Sequence, residues 1–180
     1  MNSEYGLFNG LSVMIGGFTS QIVAGQLSDR YEKDYPRIKP FICMIMSFIG
    51  VFTNAFCYMF HFSFYFSMSF LFLTYLLSEG WMSPAVAMIQ ATIDVRYKGV
   101  AMGVFLFATA IFGTIGSLVM GAMIDDFHIS AQNKKGWLLT LNTSLPSFLA
   151  AICFYVSSIY YAEFRKNISE EKEVAIGKAS

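Results

Sequence analysis

The sequence predicts an all-α integral membrane protein with about five transmembrane helices. Three observations predict it. Apolar residues make up 56% of the 180 residues, and aromatic residues 17%. Charged residues make up only 13%, about half the share of an ordinary soluble domain. The charges are also grouped: none occurs in 5–28, 40–78, 99–124 or 136–162. Covering that much apolar surface in water needs more charge than the chain carries, so lipid is the solvent that fits.

A helical span needs about 20 apolar residues. The first, third and fourth charge-free stretches each fit one helix. The second runs on past the single charge of Glu79 to Ile93 and holds two, with a turn at 61–63. The predicted spans are therefore 5–27, 41–60, 64–93, 100–124 and 138–162. They make residues 1–162 one transmembrane bundle and leave 163–180 as a short, polar tail. Glu4 stands where a signal peptide would start basic, and the apolar run after it is too long for one. Cys43, Cys57 and Cys153 all fall inside spans, without metal-ligand spacing, and are expected to pack as apolar residues.

Cytoplasmic loops carry an excess of Lys and Arg. Arg30, Lys33, Arg37 and Lys39 follow the first span, Arg96 and Lys98 the third, and Arg165, Lys166, Lys172 and Lys178 lie in the tail. A five-span weave puts all of them on one side and leaves Lys134 and Lys135 opposite. The N-terminus is thus expected outside or in a lumen, and the tail in the cytoplasm. Two glycosylation sequons, at Asn142 and Asn167, then fall in a span and in the cytoplasmic tail, and modification of neither is expected.

Lipid contact alone does not call for small or polar side chains. The first span nevertheless carries Gly6, Gly10, Gly17, Gln21 and Gly25 near one helical face. The fourth carries Thr109, Gly113 and Gly116, after a Gly99-x-x-x-Gly103 pair. Small residues at these spacings let helices pack closely. Pro146 in the fifth span removes a backbone hydrogen bond and predicts a kink. The third span is the most informative, with Glu79 midway and Trp81, Ser83, Pro84 and Gln90 after it. Helical spacing sets Gln90 on the face of Glu79, with Ser83 nearby. A carboxylate at such a depth is costly and faces a cavity, a partner or a ligand. Glu79, Ser83 and Gln90 are the candidate residues for substrate or proton binding; a hydrogen-bonded structural Glu is the alternative.

The loop after the first span reads Gly25-Gln26-Leu27-Ser28-Asp29-Arg30, with Arg37 and Lys39 further on. It resembles the signature loop of the major facilitator superfamily. Gly25, Leu27, Asp29 and Arg30 match in type and spacing, whereas Glu32 stands at the second glycine and Lys33 to Pro36 are extra. Tyr97 to Gly103 is similar to the segment that opens the eleventh helix of these transporters, and Gly113, Gly116 and Gly121-x-x-x-Asp125 follow as in that helix. The resemblance implies helices eight to twelve of the C-terminal six-helix bundle, without the seventh helix and the N-terminal half. Glu79-Gly80-Trp81 is similar to the Spinster-like branch in those three residues. The resemblance further implies that Gly25, Asp29 and Arg30 belong to a conformational latch, in which Asp29 meets a helix N-terminus and Arg30 an acidic group. Read from the residues alone, the loop can equally serve only to fix orientation.

The expected function is that of a secondary active transporter, or a fragment of one, moving a small solute by alternating access, with a proton or ion as coupling partner. The alternative is a non-transporting scaffold or accessory subunit. Either way a missing N-terminal half or a partner chain is expected, with the lipid bilayer around the protein. A formal net charge of zero offers no bulk attraction to nucleic acid. No enzyme motif is present: G-x-S-x-G and H-E-x-x-H are absent, and His61 and His128, the two histidines, fall near loops. No cofactor or metal is expected.

Overall fold

The computed structural model describes residues 2–32, 34–59, 64–126 and 132–179. The turn expected at 61–63, both histidines, Lys33, and the side chains of Asp125, Lys134, Lys135, Lys172 and Lys178 lie outside what is described.

The described residues are all-α. The first membrane segment is α1 (Asn2–Ser12), a π-helical turn Val13–Gly17, and α2 (Phe18–Tyr31). Then come α3 (Ile38–Met59), α4 (Phe64–Ser78), a 3-10 turn Glu79–Trp81 and α5 (Met82–Thr92). A second 3-10 turn, Val95–Tyr97, leads into α6 (Lys98–Asp126), and α7 runs from Gln132 to Ala179. Among the described residues, four helical stretches are long and apolar enough to cross a membrane: Gly6–Tyr31, Ile38–Tyr58, Val95–Met123 and Gly136–Ile168. The protein is a multi-pass membrane protein.

The segment 64–92 is broken where the sequence predicts one continuous span. Pro84 sits in the first turn of α5, where its missing N–H does no harm, but it cannot donate to the carbonyl four residues earlier, that of Gly80. The chain tightens to 3-10 geometry over the turn that contains Gly80. At about 1.5 Å per residue the composite is still about 40 Å long, enough to cross a bilayer. By contrast α7 carries Pro146 without a change of helix type and continues well into the polar tail.

α3 is the organising helix, packed chiefly against α7 and α4. Cys43 of α3, Ala85 and Met88 of α5 and Tyr161 of α7 form the buried core, with Trp81 and Phe154 against it. The glycines that close this bundle are mostly not those of the spaced motifs. A Cβ on Gly6, Gly10, Gly17, Gly99, Gly103, Gly113 or Gly116 would meet nothing within 4 Å. A Cβ on Gly16, inside the π-helical turn, would touch the α4 backbone at 3.3 Å. On Gly25 it would lie 2.5 Å from the Ser83 hydroxyl, and on Gly50 3.1 Å from Ser78. α6 packs lightly: Met120 is its only buried side chain among the described residues. Large apolar side chains such as Phe107, Phe112 and Leu118 point outward, as they do on a surface facing lipid.

Candidate functional site

A cavity of about 520 Å³ with several polar side chains lies between α3, α4, the first 3-10 turn and α7. Glu79 lines it, brought there by the break in the third segment, and Trp81 lies two residues on in the same turn. Asn54 of α3 and Asn142 and Thr143 of α7 face the same space. Among the described residues Glu79 makes no hydrogen bond or ion pair. No lysine, arginine or histidine is among the described residues lining the cavity.

Several hydroxyl groups around this space donate to their own helices, while that of Tyr75 donates to Asn9 Oδ1 of α1 at 3.3 Å. Thr74 donates to the Phe70 carbonyl at 2.9 Å, Ser78 to Thr74 at 2.6 Å, and Ser147 to Thr143 at 2.8 Å. The amide nitrogen of Asn54 donates to the Gly50 carbonyl at 2.8 Å. Each of these three hydroxyls satisfies its donor within the helix and leaves oxygen lone pairs as acceptors, whereas the Asn54 amide keeps a second N–H.

The three residues assigned to binding from the sequence are not brought together. Only Glu79 lines this cavity. Ser83 is half-buried against Gly25 of α2, and Gln90 is exposed. The 3-10 turn alters the helical phase between Glu79 and the residues that follow, so their expected common face is lost. Thr109, Gly113 and Gly116 line a second, more apolar cavity of about 840 Å³ beside α6. Trp81, Asn142 and Pro146 border both cavities.

The loop after α2 is a separate polar centre at one end of the bundle. Ser28 is fully buried and donates to the Gly25 carbonyl at 2.8 Å, which ties the last turn of α2 together. Asp29 and Arg30 are exposed, and Asp29 pairs with Lys39 at 3.0 Å. Lys39 is 5% exposed and also pairs with Glu32 at 2.7 Å. Glu32 in turn accepts from Tyr161 at 2.8 Å and pairs with Arg165 at 3.4 Å. Burial raises the Glu32 carboxyl, but hydrogen bonds from Lys39 and Tyr161 and the charges of Lys39 and Arg165 outweigh it and hold the group below the ordinary carboxylate range. Two acids and two bases thus neutralise one another, and the first loop lies beside the start of the tail. Asp29 finds its partner in the Lys39 side chain, in the first turn of α3. Sequence reasoning missed Glu32, because it occupies a position where the signature loop has glycine.

Comparison with known proteins agrees with this architecture. The chain is 27% identical, over 170 residues, to a protein of Mycolicibacterium smegmatis named an MFS-type efflux pump, where MFS denotes the major facilitator superfamily. The resemblance to that superfamily holds across the chain. The aligned part is 93% of this chain and 38% of the pump, so the chain spans well under half the length of this relative. No family model and no solved structure matches the chain. The similarity is thus to a membrane transport protein rather than to an enzyme.

Proposed function

We propose that this chain is part of a secondary active transporter that moves a small solute across a membrane by alternating access. Glu79 is its solute- or proton-binding carboxylate, and the Gly25–Arg30 loop is part of its conformational latch. One observation carries the reading: a carboxylate without a partner among the described residues faces a polar cavity inside the membrane region. Such a group in hydrocarbon costs at least about 2.5 kcal/mol, and retaining it makes sense where it binds something. Discontinuous helices at mid-membrane are where secondary transporters hold their ligands, and the 3-10 turn at Glu79 is such a discontinuity. The name of the pump supports transport over a scaffold role, and export as its direction.

The reading assigns Ser83 and Gln90 to helix contact and to the outer surface of this bundle, where they accompany the site without forming it. It places the latch in the exposed pair Asp29 and Arg30. The ions Lys39, Glu32 and Arg165 behind them supply the rigid base.

The test is Glu79→Gln in the full-length protein, with uptake into proteoliposomes measured across pH. Gln keeps shape and hydrogen bonding but does not titrate. Loss of uptake, or loss of its pH dependence, with the protein still folded is the expected result. Unchanged uptake at every pH overturns the role of Glu79.

A further inference from the structure

We infer that the Glu79 cavity takes a solute bearing one organic ammonium group. The inference rests on the transporter reading of the cavity and names the chemistry of its ligand.

Three features of the lining converge on that class. The first is charge. Glu79 is the one Asp, Glu, Lys, Arg or His among the described residues lining the cavity, so no described cation there offsets it. An anionic ligand would meet an uncompensated carboxylate at low dielectric, whereas a monocation neutralises it.

The second is hydrogen-bond polarity. Ser78, Thr74 and Ser147 all spend their donors on their own helices. What they turn to the cavity is oxygen. These oxygens suit a cation, or a cation with hydroxyl groups.

The third is the aromatic wall. Trp81 and Phe154 both line the cavity, with ring centroids 6.1 Å apart and planes inclined at 48°. Trp81 thus brings an indole to within two residues of the carboxylate. Aromatic faces attract alkylated ammonium groups through the ring quadrupole, and an apolar body gains contact area on the same surface. A bare inorganic cation would prefer a tight cage of oxygens. The cavity volume of about 520 Å³ suits an organic solute instead.

The experiment compares choline with its neutral carbon isostere, in which a tert-butyl group replaces trimethylammonium. Binding of each to the purified full-length protein in lipid nanodiscs is measured by saturation-transfer NMR and competition. The expected result is that choline binds about tenfold more tightly than the isostere, and that Glu79→Gln brings the two within about twofold. Sodium chloride at equal ionic strength to choline is expected to leave choline binding in place. Equal affinity of the two probes for the wild type, or no binding of choline, overturns the inference, and neither result depends on how the variant folds. Discrimination that survives Glu79→Gln, or displacement of choline by equimolar sodium, also overturns it. The outcomes separate from those of the transport assay. Selective binding without transport of any solute sinks the transporter reading alone. Transport without selectivity for the ammonium group sinks this inference alone.

Discussion

The phenol of Tyr161 donates a 2.8 Å hydrogen bond to Oε1 of Glu32, joining the tail end of α7 to the loop after α2. Oε2 of the same carboxylate receives Lys39 at 2.7 Å. Glu32 therefore works with both oxygens at once, and it ties the loop after α2 and the start of α3 to α7, far along the chain. The nearly buried ammonium of Lys39 depends on it for compensation. Removing the hydrogen bond and removing the charge should then differ in cost. Tyr161→Phe loses one charge-assisted hydrogen bond and should destabilise by roughly 1–2 kcal/mol. Glu32→Ala strips a buried cation of its better-shielded partner and should cost more, by roughly 3 kcal/mol. Thermal unfolding in detergent ranks the two. A Glu32→Ala protein as stable as Tyr161→Phe would show that Asp29 alone suffices for Lys39.

The same carboxylate predicts a pH response. Its folded value lies below the ordinary 4.5. A group of this kind contributes stability that is fully present above its unfolded value and is lost as pH falls through the folded one. The wild type should therefore lose stability progressively below about pH 4.5, whereas Glu32→Gln, lacking the proton site, should lose less over that interval. The difference between the two should shrink as the solution is acidified. Melting temperatures from pH 7 down to pH 3 provide the check, and a constant gap between the curves would contradict the linkage.

What could be read in the sequence, and what could not, follows from the range of each interaction. Charge-free stretches are local and marked the helices. The cost of a carboxylate in hydrocarbon is a property of one residue and singled out Glu79. The break at Glu79–Trp81 was also locally signalled, by Pro84, yet a continuous apolar run masked it. The Glu32 cluster had no local signal. Its partners Tyr161 and Arg165 lie at the other end of the chain, and no spacing rule joins them. The glycine motifs misled for a related reason. Spacing finds small residues that share a face, but only the neighbouring helix decides whether anything approaches them. Gly6 and Gly10 share a face that nothing among the described residues approaches, whereas Gly80 meets three side chains.

Orientation is the third prediction. The Arg165–Glu32 pair at 3.4 Å puts the first loop and the start of the tail at the same end of the bundle. The distribution of Lys and Arg assigns that end to the cytoplasm. Single cysteines at Ser169 and Ser130, in a background with Cys43, Cys57 and Cys153 replaced, should then differ. Ser130→Cys should react with an impermeant thiol reagent applied to intact cells, and Ser169→Cys should react only after permeabilisation. The reverse pattern would invert the whole weave.

The last prediction concerns Gly80, at the centre of the broken helix. A Cβ there would lie 2.6 Å from the Met46 sulfur, 2.8 Å from the Ser20 hydroxyl and 2.9 Å from the Ala24 methyl. Met46 is flexible and can swing aside. Ala24 cannot: it is fully buried, its methyl is fixed to the α2 backbone, and Ser20 belongs to the same helix. Gly80→Ala must therefore push α2 away from the 3-10 turn that carries Glu79. Overpacking of this kind costs about 1–3 kcal/mol. It should also displace the carboxylate in its cavity, so solute binding should weaken even where the protein still folds. Gly113→Ala is the matched control, because its added methyl meets nothing within 4 Å and replaces a poor helix former with a good one. Measured side by side, Gly80→Ala should lower both the melting temperature and solute affinity, while Gly113→Ala should leave the melting temperature unchanged or slightly raised. Equal effects of the two would mean that the close contact of α2 with the turn does not position Glu79.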